Sequence, residues 1–326
     1  MAARALVRIG LVAGGLLAAA GSAEAVSFSF TEIAGDTLTD AEASAFAAAA
    51  AWSSVLSDPV AVNIGIGFRD LGLGAGGGAV LGATQADFGT VAYGAYAAGL
   101  AADASSALDR AAVASLPAAG PSSRITLTTA EARALGFGAG VASDGTIEFT
   151  SNAAVTFATT RTDLASGRYD LIGVAAHEIG HLLGFESALD TGSATRTGLD
   201  AFRYAGLGAP GFTGGQAAYF SVDGGATNLG NFSPGGSGQY QASHWLQGTG
   251  GLMDPAVYAN MAKNITPLDV LALDAVGWDV AVGEPGSGAV LLAGLGLLGL
   301  WRAGLGRMCG GGRDQPGCRG WRGQPI

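Results

Sequence analysis

The chain has 326 residues, a formal net charge of −10 at pH 7 and only 13% charged residues, while 49% hydrophobic residues suffice for a sizeable core. The acidic balance and a single lysine, Lys263, exclude a nucleic-acid-binding protein, which needs a basic surface. Both cysteines, Cys309 and Cys318, lie near the C-terminus, so the rest of the chain has neither a disulfide framework nor a cysteine metal site.

Residues 1–25 have the pattern of a secretory signal peptide. Arg4 and Arg8 precede an apolar run over 9–20, and the segment Ala-Glu-Ala that ends at Ala25 has the small-x-small form of a cleavage site. The run is shorter than the roughly 20 residues that a membrane-spanning helix needs. We therefore expect an exported protein whose mature chain starts near residue 26.

The body of the chain, 26–283, divides into two halves by its patterning. In the N-terminal half, 26–186, helical and strand patterns alternate. Helices are predicted over 39–57 with Thr39 as cap, over 93–116, and over 129–136 with Thr129 as cap. A further helix is predicted within the stretch 169–186, with Asp170 as cap and Gly184 at its end. Strands are predicted over 60–68, 124–128, 145–149 and 154–158, with the last two adjacent in a sheet.

The C-terminal half, 187–283, is rich in glycine, asparagine and aromatic residues and has few periodic segments. Its one clear element is a helix over 267–276 capped by Thr266. Together the two halves predict an α+β domain with a mixed sheet and an irregular second half.

The chemistry of the sequence is concentrated in His177-Glu-Ile-Gly-His181. Two histidines four residues apart lie on the same face of a helix, so both rings can bind one zinc ion at ~2.0–2.1 Å. Glu178 is placed to take a proton from a water molecule held by that ion. The motif predicts a zinc site with His177 and His181 as ligands and Glu178 as the catalytic base.

A catalytic zinc takes a third protein ligand. Position 187 is a serine, a poor ligand, and the only glutamate after Glu186 lies in the C-terminal tail. His244, the one remaining histidine, is the predicted third ligand, because imidazole most often completes a histidine pair. Asp190, just past the helix end, is the alternative, and Glu186 is a weaker one.

This arrangement resembles the leishmanolysin family of surface zinc metalloproteases, which are metzincins. The matching residues are His177, Glu178, His181, Gly184, Phe185, His244, Trp245, Leu252, Met253 and roughly Pro255. The resemblance covers about 80 residues and implies a metzincin-like zinc protease fold. It implies zinc bound by His177, His181 and His244, with Met253 packed beneath the metal in a Met-turn.

The resemblance also implies a secreted zinc metalloendopeptidase of bacterial type that acts on protein or peptide substrates. Two other functions remain open from the motif alone. One is a non-catalytic extracellular or surface protein with a structural zinc, and the other is a zinc hydrolase that does not act on peptides. Glu178 favours an enzyme, because a structural site has no use for an acid beside the metal.

A second metal site is a weaker prediction. The segment from Asp223 to Asn231 is an oxygen-rich turn that offers ligands for calcium. It lacks the alternating acidic residues and the terminal glutamate of an EF-hand loop, and most such segments are ordinary turns.

Residues 284–326 form a distinct tail. Glu284-Pro285 precedes a glycine-containing apolar run that ends at Trp301, and Arg302 and Arg307 follow. The pattern indicates a marginal membrane helix with a positive stop, with a buried core helix as the alternative. It resembles the PEP-CTERM sorting signal of Gram-negative bacteria. That resemblance implies contact with export and sorting machinery, a transient or permanent membrane segment, and an extracellular or cell-surface location.

Overall fold

The computed structural model of the protein describes residues 25–281, except 34, 37, 75–76, 139 and 237–239. These residues form an α+β structure with mixed sheets, as the sequence predicts. The α-helices are α1 (Asp40–Ala49), α2 (Tyr93–Asp103), α3 (Ala107–Ser115), α4 (Thr129–Ala134), α5 (Leu171–Leu182) and α6 (Pro267–Val276). The strands are β1 (Ser27–Glu32), β2 (Ala61–Arg69), β3 (Gly82–Ala86), β4 (Phe88–Ala92), β5 (Arg124–Thr128), β6 (Gly145–Thr150), β7 (Phe157–Ala158), β8 (Tyr169–Asp170), β9 (Arg196–Thr197), β10 (Arg203–Gly206), β11 (Ala209–Pro210), β12 (Ala218–Phe220) and β13 (Gly230–Phe232).

The main sheet has four strands in the order β1-β2-β6-β3. β1, β2 and β6 are parallel, and β3 runs antiparallel to β6 at the edge. Val62, Ile64 and Ile66 of β2 are buried on one face, because alternate side chains of a strand point the same way. Helix α5 packs against β6 and the edge strand β3, which places the histidine motif beside the antiparallel edge of the sheet.

Helix α1 packs against α5. Thr39 and Glu42 form a capping box at its start, as expected for a threonine followed by an acid at the third helical position. The helix continues as a 3₁₀ turn over Ala50–Ser54, so the predicted helix over 39–57 is shorter and irregular at its end. Trp52 in that turn is fully buried and donates its indole N–H to the carbonyl of Ala176 in α5 at 2.9 Å.

Three details of the predicted elements are wrong. The helix expected over 93–116 is two helices, because Ser106 caps α3 through a box with Asp109 and so ends the earlier helical segment. The strand expected over 154–158 is reduced to β7, which pairs with β8 and does not neighbour β6. Asp170 occupies the N-cap position of α5 without a capping hydrogen bond, because its carboxylate accepts from the backbone N–H of Lys263 instead.

The C-terminal half contains more regular structure than its sequence suggests. Strands β10 to β13 form an antiparallel sheet in the order β11-β10-β12-β13, and β9 pairs with β5 of the N-terminal half. Trp245 lies 4.9 Å from Phe232 and 4.8 Å from Phe185, measured between ring centroids. These aromatic contacts join the segment after α5 to the segment that carries His244.

Helix α6 closes the core behind these elements. It starts at the predicted position, with Thr266 and Asp269 as a capping box. The predicted signal peptide lies outside the described residues apart from its last position, and the predicted sorting tail, 284–326, lies outside them entirely. Within the part of the chain that the structure describes, none of the helices has the length and apolarity needed to cross a membrane.

Candidate metal centre

The histidine pair of α5 has the separation expected of two ligands on one ion. His177 and His181 follow each other by one helical turn, and their Nε2 atoms are 3.2 Å apart. Two nitrogens bound at ~2.0–2.1 Å to a tetrahedral zinc lie about 3.3 Å apart. The helix backbone therefore presets two corners of a coordination tetrahedron.

His244 joins the pair from the C-terminal half. Its ring centroid lies 5.2 Å from that of His177 and 5.0 Å from that of His181. One ring nitrogen from each of the three residues lies within 4.8 Å of the others, and the group is largely buried. These three histidines form a group that can hold a metal ion.

Backbone carbonyls orient all three rings. The carbonyls belong to Leu252 for His177, Phe185 for His181 and Gln241 for His244, at 2.9, 2.8 and 3.3 Å from the respective Nδ1 atoms. A carbonyl only accepts hydrogen bonds, so each Nδ1 carries a hydrogen, and in the neutral form of each ring Nε2 keeps the lone pair. Outer hydrogen bonds of this kind fix the tautomer and direction of metal-binding histidines. The donor set therefore fits a metal ion between the rings.

Burial and charge act differently on the three rings. Burial lowers the pKa of His177 to about 4, and His181 adds to the effect. Burial, followed by the two other histidines, also lowers the pKa of His244. Burial alone would lower the pKa of His181 too, but the carboxylate of Glu186, 3.4 Å from its Nδ1, raises it to about 9. Glu186 thus lies behind a ligand ring, and metal binding competes with a proton on His181.

Glu178 is held beside this group by the edge strand. Its side chain is 6% exposed, and Oε2 accepts a hydrogen bond from the hydroxyl of Thr84 in β3 at 2.8 Å. A Cβ at Gly82, also in β3, would lie 2.6 Å from Oε1. The edge strand therefore has a glycine where the carboxylate needs room and a hydroxyl where it needs a donor.

Met253 lies beneath the motif helix. It is fully buried, and a Cβ at Gly180 would lie 2.6 Å from its sulfur. Its neighbour Leu252 supplies the carbonyl that orients His177. Lys263 stabilises the same turn, since its Nζ donates to the carbonyl of Gly251 at 2.9 Å and lies 3.5 Å from Asp254.

Asp190 does not approach the histidine group. Its carboxylate accepts hydrogen bonds from the backbone N–H groups of Gly236, at 2.6 Å, and Ala242. Of the candidates for third ligand, the structure brings His244 to the pair and places Asp190 against the segment before His244.

The predicted calcium turn is closed by its own hydrogen bonds. Asp223 accepts from the hydroxyl of Ser221 at 2.6 Å and from the backbone N–H of Thr227 at 2.9 Å. Among the described residues, the clusters that can hold a metal do not include Asp223. Its carboxylate therefore serves as a turn cap.

The structure contains a second group of potential metal ligands, made of aspartates, that the sequence did not reveal. The carboxylates of Asp58, Asp103 and Asp279, the aspartate cluster, lie within 4.8 Å of one another. Within the described residues, no arginine or lysine forms an ion pair with them. Burial raises the pKa of Asp58 to about 7 and that of Asp103 to about 6, and the neighbouring carboxylates add to both shifts.

Thr84 and Gly82 were also missed by the sequence analysis. The segment Gly-Ala-Thr-Gln-Ala of β3 has no apolar alternation, so it gave no strand signal.

Comparisons with protein-family models, with curated proteins and with solved structures found no match for this chain. Its function must therefore be argued from the geometry of the site.

Proposed function

We propose that this protein is an exported zinc metalloendopeptidase. The observation that carries the proposal is the convergence of three histidines whose Nδ1 atoms all face backbone carbonyls, with a buried glutamate directly after the first of them. A site for a purely structural metal gains nothing from a carboxylate at that position. Glu178 therefore favours hydrolysis over a structural role.

His177, His181 and His244 would hold the zinc ion, which would supply Lewis acidity to polarise a carbonyl and to lower the pKa of water to roughly 7. Glu178 accepts the proton of the attacking water and returns it to the leaving amine, the usual duty of a general base that becomes a general acid. Thr84 holds one carboxylate oxygen through its hydroxyl, which leaves the other for the proton.

Strand β3 supports the choice of a peptide as substrate. It is an edge strand and carries Thr84, which donates to the carboxylate of Glu178, and Gly82, where an added Cβ would meet that carboxylate. An unpaired strand edge offers a row of backbone donors and acceptors, and an extended peptide can add to it. We infer that the substrate lies extended along β3, with its scissile bond above the histidine group.

We also propose that the fold is that of a metzincin of leishmanolysin type. Support comes from His244 at the third ligand position, from the aromatic packing of Trp245, and from Met253 against Gly180 beneath the metal centre. The signal peptide and the tail at 284–326 lead us to propose export and sorting to the cell surface or the extracellular space of a Gram-negative bacterium.

The test combines metal analysis with a digest by the purified protein. Wild type should contain one zinc per chain and cleave casein or a peptide library. Glu178→Gln keeps all three histidines, so it should retain zinc and lose at least about 100-fold in activity, the minimum expected for loss of a general base. Glu32→Gln changes an exposed glutamate that is distant in sequence from Glu178. It is the matched control and should behave as wild type.

Each unfavourable result has a distinct meaning. A wild-type protein with zinc and no peptidase activity would favour the structural-zinc protein or a hydrolase of another substrate. An active Glu178→Gln enzyme would contradict the role of Glu178. A wild type that takes up no zinc would overturn the metal centre itself.

A further inference from the structure

The third histidine is carried by a loop, and that loop needs support from elsewhere. In this segment, 233–244, the described residues 233–236 leave β13 and residues 240–244 return beside it, because the N–H of Ser233 donates to the carbonyl of His244 at 2.9 Å. Phe232 and Trp245, which flank the segment, form an antiparallel bridge. Closure at its ends fixes where the segment starts and stops, but it does not fix the direction of the His244 ring.

Asp190 binds this segment from one side. Its two carboxylate oxygens accept from the N–H groups of Gly236 and Ala242, near the two ends of the segment. The approach is close, because a Cβ at Gly235 would lie 2.5 Å from Oδ1 of Asp190 and 2.7 Å from the side chain of Ala242. One charged group thus ties together two parts of the segment that are six residues apart.

Arg203 binds the same segment through its carbonyls. It is 1% exposed, and its guanidinium donates to the carbonyls of Ser233 at 2.6 Å and Ala242 at 3.2 Å. Its charged group also lies 4.7 Å from the ring centre of Phe232. Burial lowers the pKa of Arg203 to about 10, with Asp200 and Asp190 opposing the shift, so it is charged at neutral pH.

The peptide groups of Ala242 are therefore held on both sides, its N–H by Asp190 and its carbonyl by Arg203. Ala242 precedes His244 by two residues and follows Gln241, whose carbonyl faces Nδ1 of His244. A shift of the His244 backbone away from the other two histidines therefore has to disturb at least one of these held peptide groups.

We propose that Asp190 and Arg203 are positioning residues that set the metal affinity of the centre by fixing His244. The proposal rests on the histidine centre of the proposed function, but it concerns binding and not hydrolysis. Neither residue belongs to the group of three histidines that can hold the metal ion. Loss of an outer hydrogen-bonding partner typically lowers metal affinity 10–100-fold, and we expect Asp190→Ala to fall in this range.

A double-mutant cycle separates positioning from a general loss of structure. Zinc affinity is measured on the full chain by competition with a chromophoric chelator, for Asp190→Ala with His244 present and in a His244→Ala background. If Asp190 acts through His244, the loss is 10–100-fold in the first case and less than about twofold in the second, since coupled residues are not additive. Asp223→Ala removes a turn-capping carboxylate of the same half and is the matched control, with little change in either background.

Equal losses in both backgrounds would overturn the proposal and leave the peptidase assignment untouched. Conversely, a wild type that binds zinc but cleaves no peptide would overturn the peptidase and leave this test valid. If Asp190→Ala does not fold, Asp190→Asn keeps the side-chain volume and one acceptor and takes its place. Hydrogen exchange on the wild type provides a check without variants. The Ala242 amide should be protected from exchange. Exchange at the rate of a free loop would overturn the proposal that Asp190 and Arg203 hold this part of the chain in place.

Discussion

The histidine centre and the aspartate cluster both bring three potential ligands within 4.8 Å, yet they are held very differently. Every histidine has its second ring nitrogen against a carbonyl. In the aspartate cluster, Asp58 accepts from the backbone N–H of Asp279 and Asp279 accepts from Ser105, but no described residue donates to Asp103. The histidine rings are thus oriented by hydrogen bonds and the aspartates are merely close together, although the ligand atoms lie within the same distance of one another in both groups.

The two regions also respond differently to protons. Most of the histidine centre is kept neutral by burial, which leaves lone pairs for a metal. The aspartate cluster has raised pKa values, so proton uptake relieves its repulsion without any cation. Outer hydrogen bonds, more than the proximity of ligand atoms, distinguish the group whose ligands are oriented for a metal ion.

The largest expected effect comes from removing a ligand in each region. His181→Ala should lower zinc affinity at least about 100-fold, more than the loss of an outer partner, because the site loses one of three ligands. Asp58→Asn should leave zinc affinity unchanged. A chelator competition titration measures both. If Asp58→Asn lost zinc and His181→Ala kept it, the aspartate cluster and not the histidine centre would be the zinc site.

A smaller effect is expected from the packing beneath the histidine helix. Gly180→Ala places a methyl group 2.6 Å from the sulfur of fully buried Met253, and overpacking of this kind costs about 1–3 kcal/mol. Urea unfolding at fixed zinc concentration measures the loss. Gly94→Ala in α2, where a Cβ meets nothing within 4 Å, is the control and should be neutral or stabilising. Equal stability of the two variants would show that Met253 does not support the helix.

The smallest effect concerns Asp274, which adjoins the aspartate cluster. Burial and then Asp109 raise its pKa from 3.8 to about 9, so the folded chain binds a proton that the unfolded chain releases above pH 4. This contribution to stability therefore falls as pH rises from about 4 to 9. Asp274→Asn mimics the protonated acid and can still donate to Asp109.

We expect Asp274→Asn to match wild type near pH 4 and to exceed it at pH 9 by on the order of 1 kcal/mol, since partial exposure screens the repulsion. Thermal unfolding at pH 5, 7 and 9 checks the trend. Asp87→Asn, at an exposed aspartate, should show no such slope. A gain that shrinks with rising pH would contradict the direction of the Asp274 shift.

The sequence predicted those parts of the site that follow from local geometry. Histidines four residues apart on a helix must share a face, so His177 and His181 could be paired without a structure. His244 followed from the scarcity of histidines and from the family resemblance, and the structure places it with the pair. Helix caps at Thr39 and Thr266 were readable for the same local reason.

The remaining features depend on contacts between distant segments. Thr84 reaches Glu178 across 94 residues, and its strand owes its place to pairing with β6. Asp170 looked like a helix cap, but the backbone of Lys263 is its hydrogen-bond donor. The short strands of the C-terminal half carry too few residues for a period of two to show.

Lys263 gives the molecule a chemical property of its own. It is the only lysine in the sequence, and its amine is engaged with Gly251 and Asp254 in the turn that contains Met253. Reagents that acylate amines can therefore modify only one side chain of this sequence. That side chain is bonded to the turn that contains Met253. The rate at which Lys263 is acylated therefore reports how often this turn opens.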